Sequence, residues 1–124
     1  MTPEHNHQSI LNLIQLDSIR SLNPSNGDEL VTKILGIFLE TSIDQIRQIE
    51  RALEDEDCEN LCNAAHTLKS SSANIGADSL SSVAKRLELH GRSRELAQAV
   101  QLRCDLSQQY QLVVSEIEKM RDRS

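Results

Sequence analysis

Four histidines, three cysteines and nineteen carboxylates are the side chains of this 124-residue sequence that could carry nucleophilic, metal-binding or proton-transfer chemistry. Their spacing separates them quickly. His5 and His7 stand in a polar start of the chain, and His90 precedes Gly91, where a cation suits the last turn of a helix. Cys58, Cys62 and His66 recur at i, i+4 and i+8 and resemble a ligand stripe. On a straight helix the first and last of these lie about 12 Å apart, and one zinc with bonds of roughly 2.3 Å cannot gather all three. His66 is different in its surroundings. At 100° per residue it points away from Leu61, Ala64, Leu68 and Ile75, and therefore toward solvent. Cys62 and Asn63 stand one turn before it, Lys69 follows at i+3, and Ser70 and Ala73 are small at i+4 and i+7. The small neighbours leave the ring open to a second macromolecule, and the ammonium can approach an anion attached to it. Imidazole is the side chain whose neutral, nucleophilic form is abundant near neutral pH. A nucleophile, a nearby cation and an open approach are what a phosphoryl acceptor needs. No carboxylate cluster on that face would hold Mg²⁺, and no two glycines stand close enough for a phosphate-cradling loop. The metal and the in-line geometry would come from a partner.

The elements that must position His66 read as helices. A short amphipathic stretch over residues 10–22 ends at Asn23-Pro24-Ser25-Asn26-Gly27, the strongest turn signal in the chain. Asp28 can start a long helix, with Val31, Ile34, Leu35, Phe38, Ile49 and Leu53 on one stripe. The acids Glu54, Asp55, Glu56 and Asp57 close it and open the next, whose N-terminus they favour. That third helix spans about 57–75 and stops at Gly76. Its core face carries Leu61, Ala64, Leu68, Ser71, Ser72 and Ile75, with the serine hydroxyls bonded back to the helix. Asp78 or Ser79 caps a fourth helix with the stripe Leu80, Val83, Ala84 and Leu87, and His90-Gly91-Arg92-Ser93 breaks it. A last long helix carries Leu102, Leu106, Tyr110, Val113, Ile117 and Met120. The expected fold is all-α: an antiparallel four-helix bundle with a short additional N-terminal helix, over residues 10–124, preceded by a flexible arm at 1–9. Leu30 and Ile37, at the edge of the second helix's stripe, are expected to border a docking patch near His66.

Composition excludes several classes. With only Phe38 and Tyr110 as aromatics, the chain lacks the exposed rings of a base-stacking nucleic-acid reader. A net charge of −6 argues against binding a phosphate backbone. Four glycines and two prolines are too few for a turn-rich β fold. An odd cysteine count with no basic, apolar leader points to reduced thiols in the cytoplasm, and no apolar run is long enough to span a membrane. A cytoplasmic monomer that contacts neither nucleic acid nor membrane is expected.

The run Ala64-Ala65-His66-Thr67-Leu68-Lys69-Ser70-Ser71-Ser72-Ala73-Asn74-Ile75-Gly76-Ala77 resembles the signature of bacterial histidine-containing phosphotransfer (HPt) domains. Ile37-Phe38-Leu39-Glu40 is similar to the family's preceding helix, and Leu87-Glu88 falls where its fourth helix has a Leu-Glu pair. The resemblance covers roughly residues 16–120 and is most specific around the histidine. It implies a four-helix bundle that carries phosphoryl groups between receiver-domain aspartates of response regulators or hybrid kinases, without binding ATP. It further implies His66 as the phospho-acceptor, Lys69 as the lysine beside it and Gly76 as the glycine ending the motif. Ser70 departs from the glycine of many members but keeps the position small. Cys62, Asn63, Ser70, Ala73 and Ile37 are then the residues expected to meet the partner. No cofactor is expected on this chain, Mg²⁺ residing on the receiver domain. The alternative is a helical adaptor that binds receiver domains without transfer.

Overall fold

The turn at 23–27 and the acidic run at 54–57 divide the chain much as their composition dictates. The computed structural model describes residues 10–122. Its helices are α1 (Leu13–Arg20), α2 (Gly27–Glu54), α3 (Cys58–Asn74), α4 (Asp78–Arg92), α5 (Leu96–Val100) and α6 (Arg103–Asp122), with no strand among the described residues. The arm expected at 1–9 lies outside them. Asn12 caps α1, its side chain accepting from the backbone N–H of Ile14 and Gln15. Asp57 caps α3 in the same way through the N–H of Asn60. Helix α3 ends before Gly76, which has φ +77°, and a β-carbon there would stand 2.8 Å from Asn12 N. The Asn12 N–H donates to Gly76 O at 2.7 Å, so α1 is pinned to the α3–α4 turn.

Three expectations are corrected. Neither Asp78 nor Ser79 caps α4: the N-cap is Ala77, without a side-chain bond, and Asp78 instead accepts from Asn12 Nδ2 at 3.0 Å. Helix α4 ends inside the expected 90–93 run, at Arg92 with Ser93 as its C-cap, but Gly91 is not what ends it. That glycine is a buried helical residue where α4 crosses α3, and a β-carbon on it would come within 3.0 Å of Cys62 N and 3.1 Å of Cys58 O. Finally, the last helix is preceded by α5, which carries the chain back from α4, with Ala99 and Leu102 buried at the joint.

The core is aliphatic. Leu16, Leu35, Ile49, Leu61, Leu68, Leu80, Leu87, Leu106 and Ile117 are fully buried, each stabilising by roughly 1.5–3 kcal/mol relative to exposure. Exposed ion pairs such as Arg47–Asp44 contribute only about 0–1 kcal/mol each, so burial decides the fold. Polar bonds fix register at two seams. Ser42 Oγ and Tyr110 OH meet at 2.8 Å between α2 and α6, and Ser71 Oγ donates toward Gln45 Oε1 at 3.0 Å between α3 and α2. Ser71 also lies 3.2 Å from Leu68 O, as expected of a hydroxyl bonded back to its helix. Ser72 does not follow: its hydroxyl is buried with no hydrogen-bond partner among the described residues.

Candidate functional site

Helix α3 buries Leu61, Ala64, Ala65, Leu68 and Ser72 and turns His66 outward, with 60% of its side chain exposed. Helix α4 is seated tightly beside it. Gly91 lets the two backbones close at one end of the contact, and Ser81 Oγ donates to Lys69 O at 3.0 Å at the other. Between those anchors Glu88 turns from α4 toward α3. Its side chain is only 4% exposed, and His66 Nδ1 stands 2.9 Å from Glu88 Oε2. Lys69 Nζ lies 2.7 Å from Oε1, and an Arg92 terminal nitrogen lies 2.8 Å from Oε2. One buried carboxylate thus meets three donors.

The electrostatics follow from that geometry. Burial alone would push the Glu88 carboxyl up, because it penalises the charged form. The hydrogen bonds and charges of Lys69 and His66 more than offset this and hold it below the ordinary carboxylate value. An ionised carboxylate can only accept hydrogen bonds. His66 therefore carries its proton on Nδ1 and donates it to Glu88. In the neutral ring the lone pair is then on Nε2, the nitrogen on the other side of the ring from Glu88.

The remaining residues singled out in the sequence distribute as follows. Asn63, Ser70 and Ala73 are exposed on α3, and Cys62 is half-buried under the α4 crossing. On the other flank, Asn63 and Thr67 border a polar groove of about 310 Å³ between α2 and α3. Ile37 is 48% exposed, yet it is not brought to the histidine. The Ser71–Gln45 bond aligns the antiparallel α2 and α3. From that level Ile37 lies eight residues, roughly 12 Å, in one direction along the bundle, and His66 five residues, roughly 7 Å, in the other. Leu30 is farther still and half-buried against the core. Lys69 is oriented by Glu88 as well as being a neighbour of the ring. Among the described residues no three His, Cys, Asp or Glu side chains converge as metal ligands, and all three thiols are free.

Sequence reasoning missed the orienting role of Glu88 and the part of Arg92. A signal was present. Glu88 is i+4 from Ala84, so the helix period places a carboxylate at the edge of a buried stripe. A carboxylate in that position needs donors, and the neighbouring helix offers His66 and Lys69.

A family model described as the Hpt domain matches residues 33–122. Among solved structures, the chain is similar to the crystal structure of histidine-containing phosphotransfer protein B (HptB) from Pseudomonas aeruginosa PAO1. The two are 26% identical, the match covers 93% of this chain and 96% of that one, and the TM-score is 0.83. No curated protein sequence matches.

Proposed function

This chain belongs to the Hpt domain family and is a phosphotransfer protein of phosphorelays, and on that premise we propose that His66 accepts a phosphoryl group from the phosphoaspartate of one receiver domain and passes it to an aspartate of another. The observation that carries this reading is the exposed ring of His66 held through Nδ1 by the buried Glu88 at 2.9 Å.

In the accepting step the Nε2 lone pair attacks phosphorus, an N–P bond forms, and the P–O bond to the aspartyl carboxyl breaks, leaving an aspartate on the partner. Attack makes the ring cationic. Glu88, already ionised, stabilises that charge through the Nδ1–H without reorganisation. The donating step reverses the sequence: a second aspartate oxygen attacks phosphorus and the imidazole leaves neutral. Lys69, on the other oxygen of Glu88, is near enough to offset the charge of the phosphoryl oxygens. Mg²⁺ belongs to the receiver domain in this scheme, and in-line placement comes from docking. Cys62, Asn63, Ser70 and Ala73 lie around the ring and form the part of α3 that a partner covers.

The test is phosphotransfer profiling with a panel of phosphorylated receiver domains. Label should appear on the wild type in acid-labile form and be absent from His66→Gln, with circular dichroism unchanged. A His66→Gln protein that still takes label would remove the assignment. Receiver binding by the wild type without any label would favour an adaptor instead.

A further inference from the structure

Although the chain is acidic overall, its charge is unevenly distributed. Residues 50–59 hold Glu50, Glu54, Asp55, Glu56, Asp57 and Glu59 against Arg51. Residues 66–94 hold Lys69, Lys85, Arg86, Arg92 and Arg94 against Asp78 and Glu88, and Glu88 is the buried carboxylate already met by Lys69 and Arg92. The exposed charge on the α4 side of His66 is therefore predominantly cationic, the exposed Asp78 lying at the far N-terminus of that helix.

Helical register assigns one of these cations to the site. Ser81 and Glu88 both reach α3, through Lys69 O and through His66 and Lys69. Lys85 is i+4 from Ser81 and i−3 from Glu88, and Arg92 is i+4 from Glu88. The four form one ridge of α4 that runs alongside α3. Lys85 stands between the two anchors, so it is level with the 66–69 segment. It is exposed and makes no side-chain ion pair or hydrogen bond among the described residues. Arg86 is one residue on, turned 100° farther from α3.

We propose that Lys85, with Arg92, forms a cationic ridge that docks the carboxylate-bearing face of the receiver domain and orients it over His66. This rests on the transfer reading above. A face that presents a phosphoaspartate and holds Mg²⁺ through oxygen ligands is built from carboxylates. Opposite charges at a small, transient contact act mainly on association rate and orientation, and the acidic 50–59 segment repels the same face from the other end of α3. Such a contribution is screened by salt, since the Debye length is only about 10 Å at 0.1 M.

The experiment measures the second-order rate of phosphoryl transfer from a phosphorylated receiver domain to the full chain at low and high salt. Wild type, Lys85→Glu and Arg86→Glu are compared. In parallel, His66 is labelled with phosphoramidate, a small donor that has no docking face. Lys85→Glu should slow receiver-dependent transfer about five- to tenfold at low salt, the gap closing at high salt. Arg86→Glu, which changes net charge equally, should stay within about twofold, and phosphoramidate labelling should be the same for all three. Transfer to Lys85→Glu at the wild-type rate, an equal loss in Arg86→Glu, or a loss that salt does not relieve would overturn the ridge. Failure of the underlying reading has a separate signature: wild type that takes label on His66 from neither donor.

Discussion

At the scale of single residues, the site is a matter of which nitrogen is left available. A lone exposed histidine on a helix is ordinarily solvent decoration. Here the Glu88 carboxylate fixes the ring and its tautomer. A charge-assisted hydrogen bond contributes about 1.5–3 kcal/mol and a neutral one about 0.5–1.5. Glu88→Gln keeps an acceptor but loses the charge, so transfer should slow about tenfold. Glu88→Ala removes the acceptor and should slow it roughly a hundredfold. Nitrogen NMR of the imidazole separates positioning from a general loss of structure. The wild type should show the Nδ1–H form, and Glu88→Ala a mixture of tautomers. An unmixed spectrum in Glu88→Ala would mean that something else holds the ring.

At the scale of elements, the site exists because α4 lies close enough to α3 for Glu88 to reach His66. Gly91 sets that distance. On helix propensity alone Gly91→Ala should stabilise α4 by up to about 1 kcal/mol. The added carbon would meet the backbone of Cys62 at 3.0 Å and of Cys58 at 3.1 Å. Backbone cannot yield unless the helices part, and overpacking of this kind costs about 1–3 kcal/mol. The contact wins. Gly91→Ala should lower the melting temperature and slow transfer together, read by calorimetry and a receiver assay; a stabilised, fully active variant would show that the crossing has slack. Nothing along the chain announces this arrangement, since a glycine between His90 and Arg92 reads as a helix end. The helix period locates apolar faces but does not say how closely two helices approach.

At the scale of the whole molecule, the site is coupled to stability through the same carboxylate. Glu88 is held below its ordinary value when folded, burial being more than offset by Lys69 and His66. The unfolded chain therefore binds that proton more readily. The stabilisation is present at neutral pH and is lost as pH falls from the ordinary carboxylate value of about 4.5 toward the lower folded value. Chemical denaturation between pH 3 and 6, a window of about that width around the ordinary value, should show a steeper loss of stability in wild type than in Glu88→Gln; parallel curves would mean that other carboxylates dominate. What the sequence settled by itself was local: helices from apolar period, the turn at 23–27, the acidic start of α3, the end at Gly76, and an outward His66 with Lys69 one turn on. These depend on neighbours within a few positions, which the chain order contains. The partners of Glu88, the passage of α4 through Gly91, the α5 crossover and the distance of Ile37 from His66 were decided by packing. Each depends on how far apart two helices sit and in what register, and those quantities follow from the summed fit of side chains across a bundle, which periodicity along one helix does not encode.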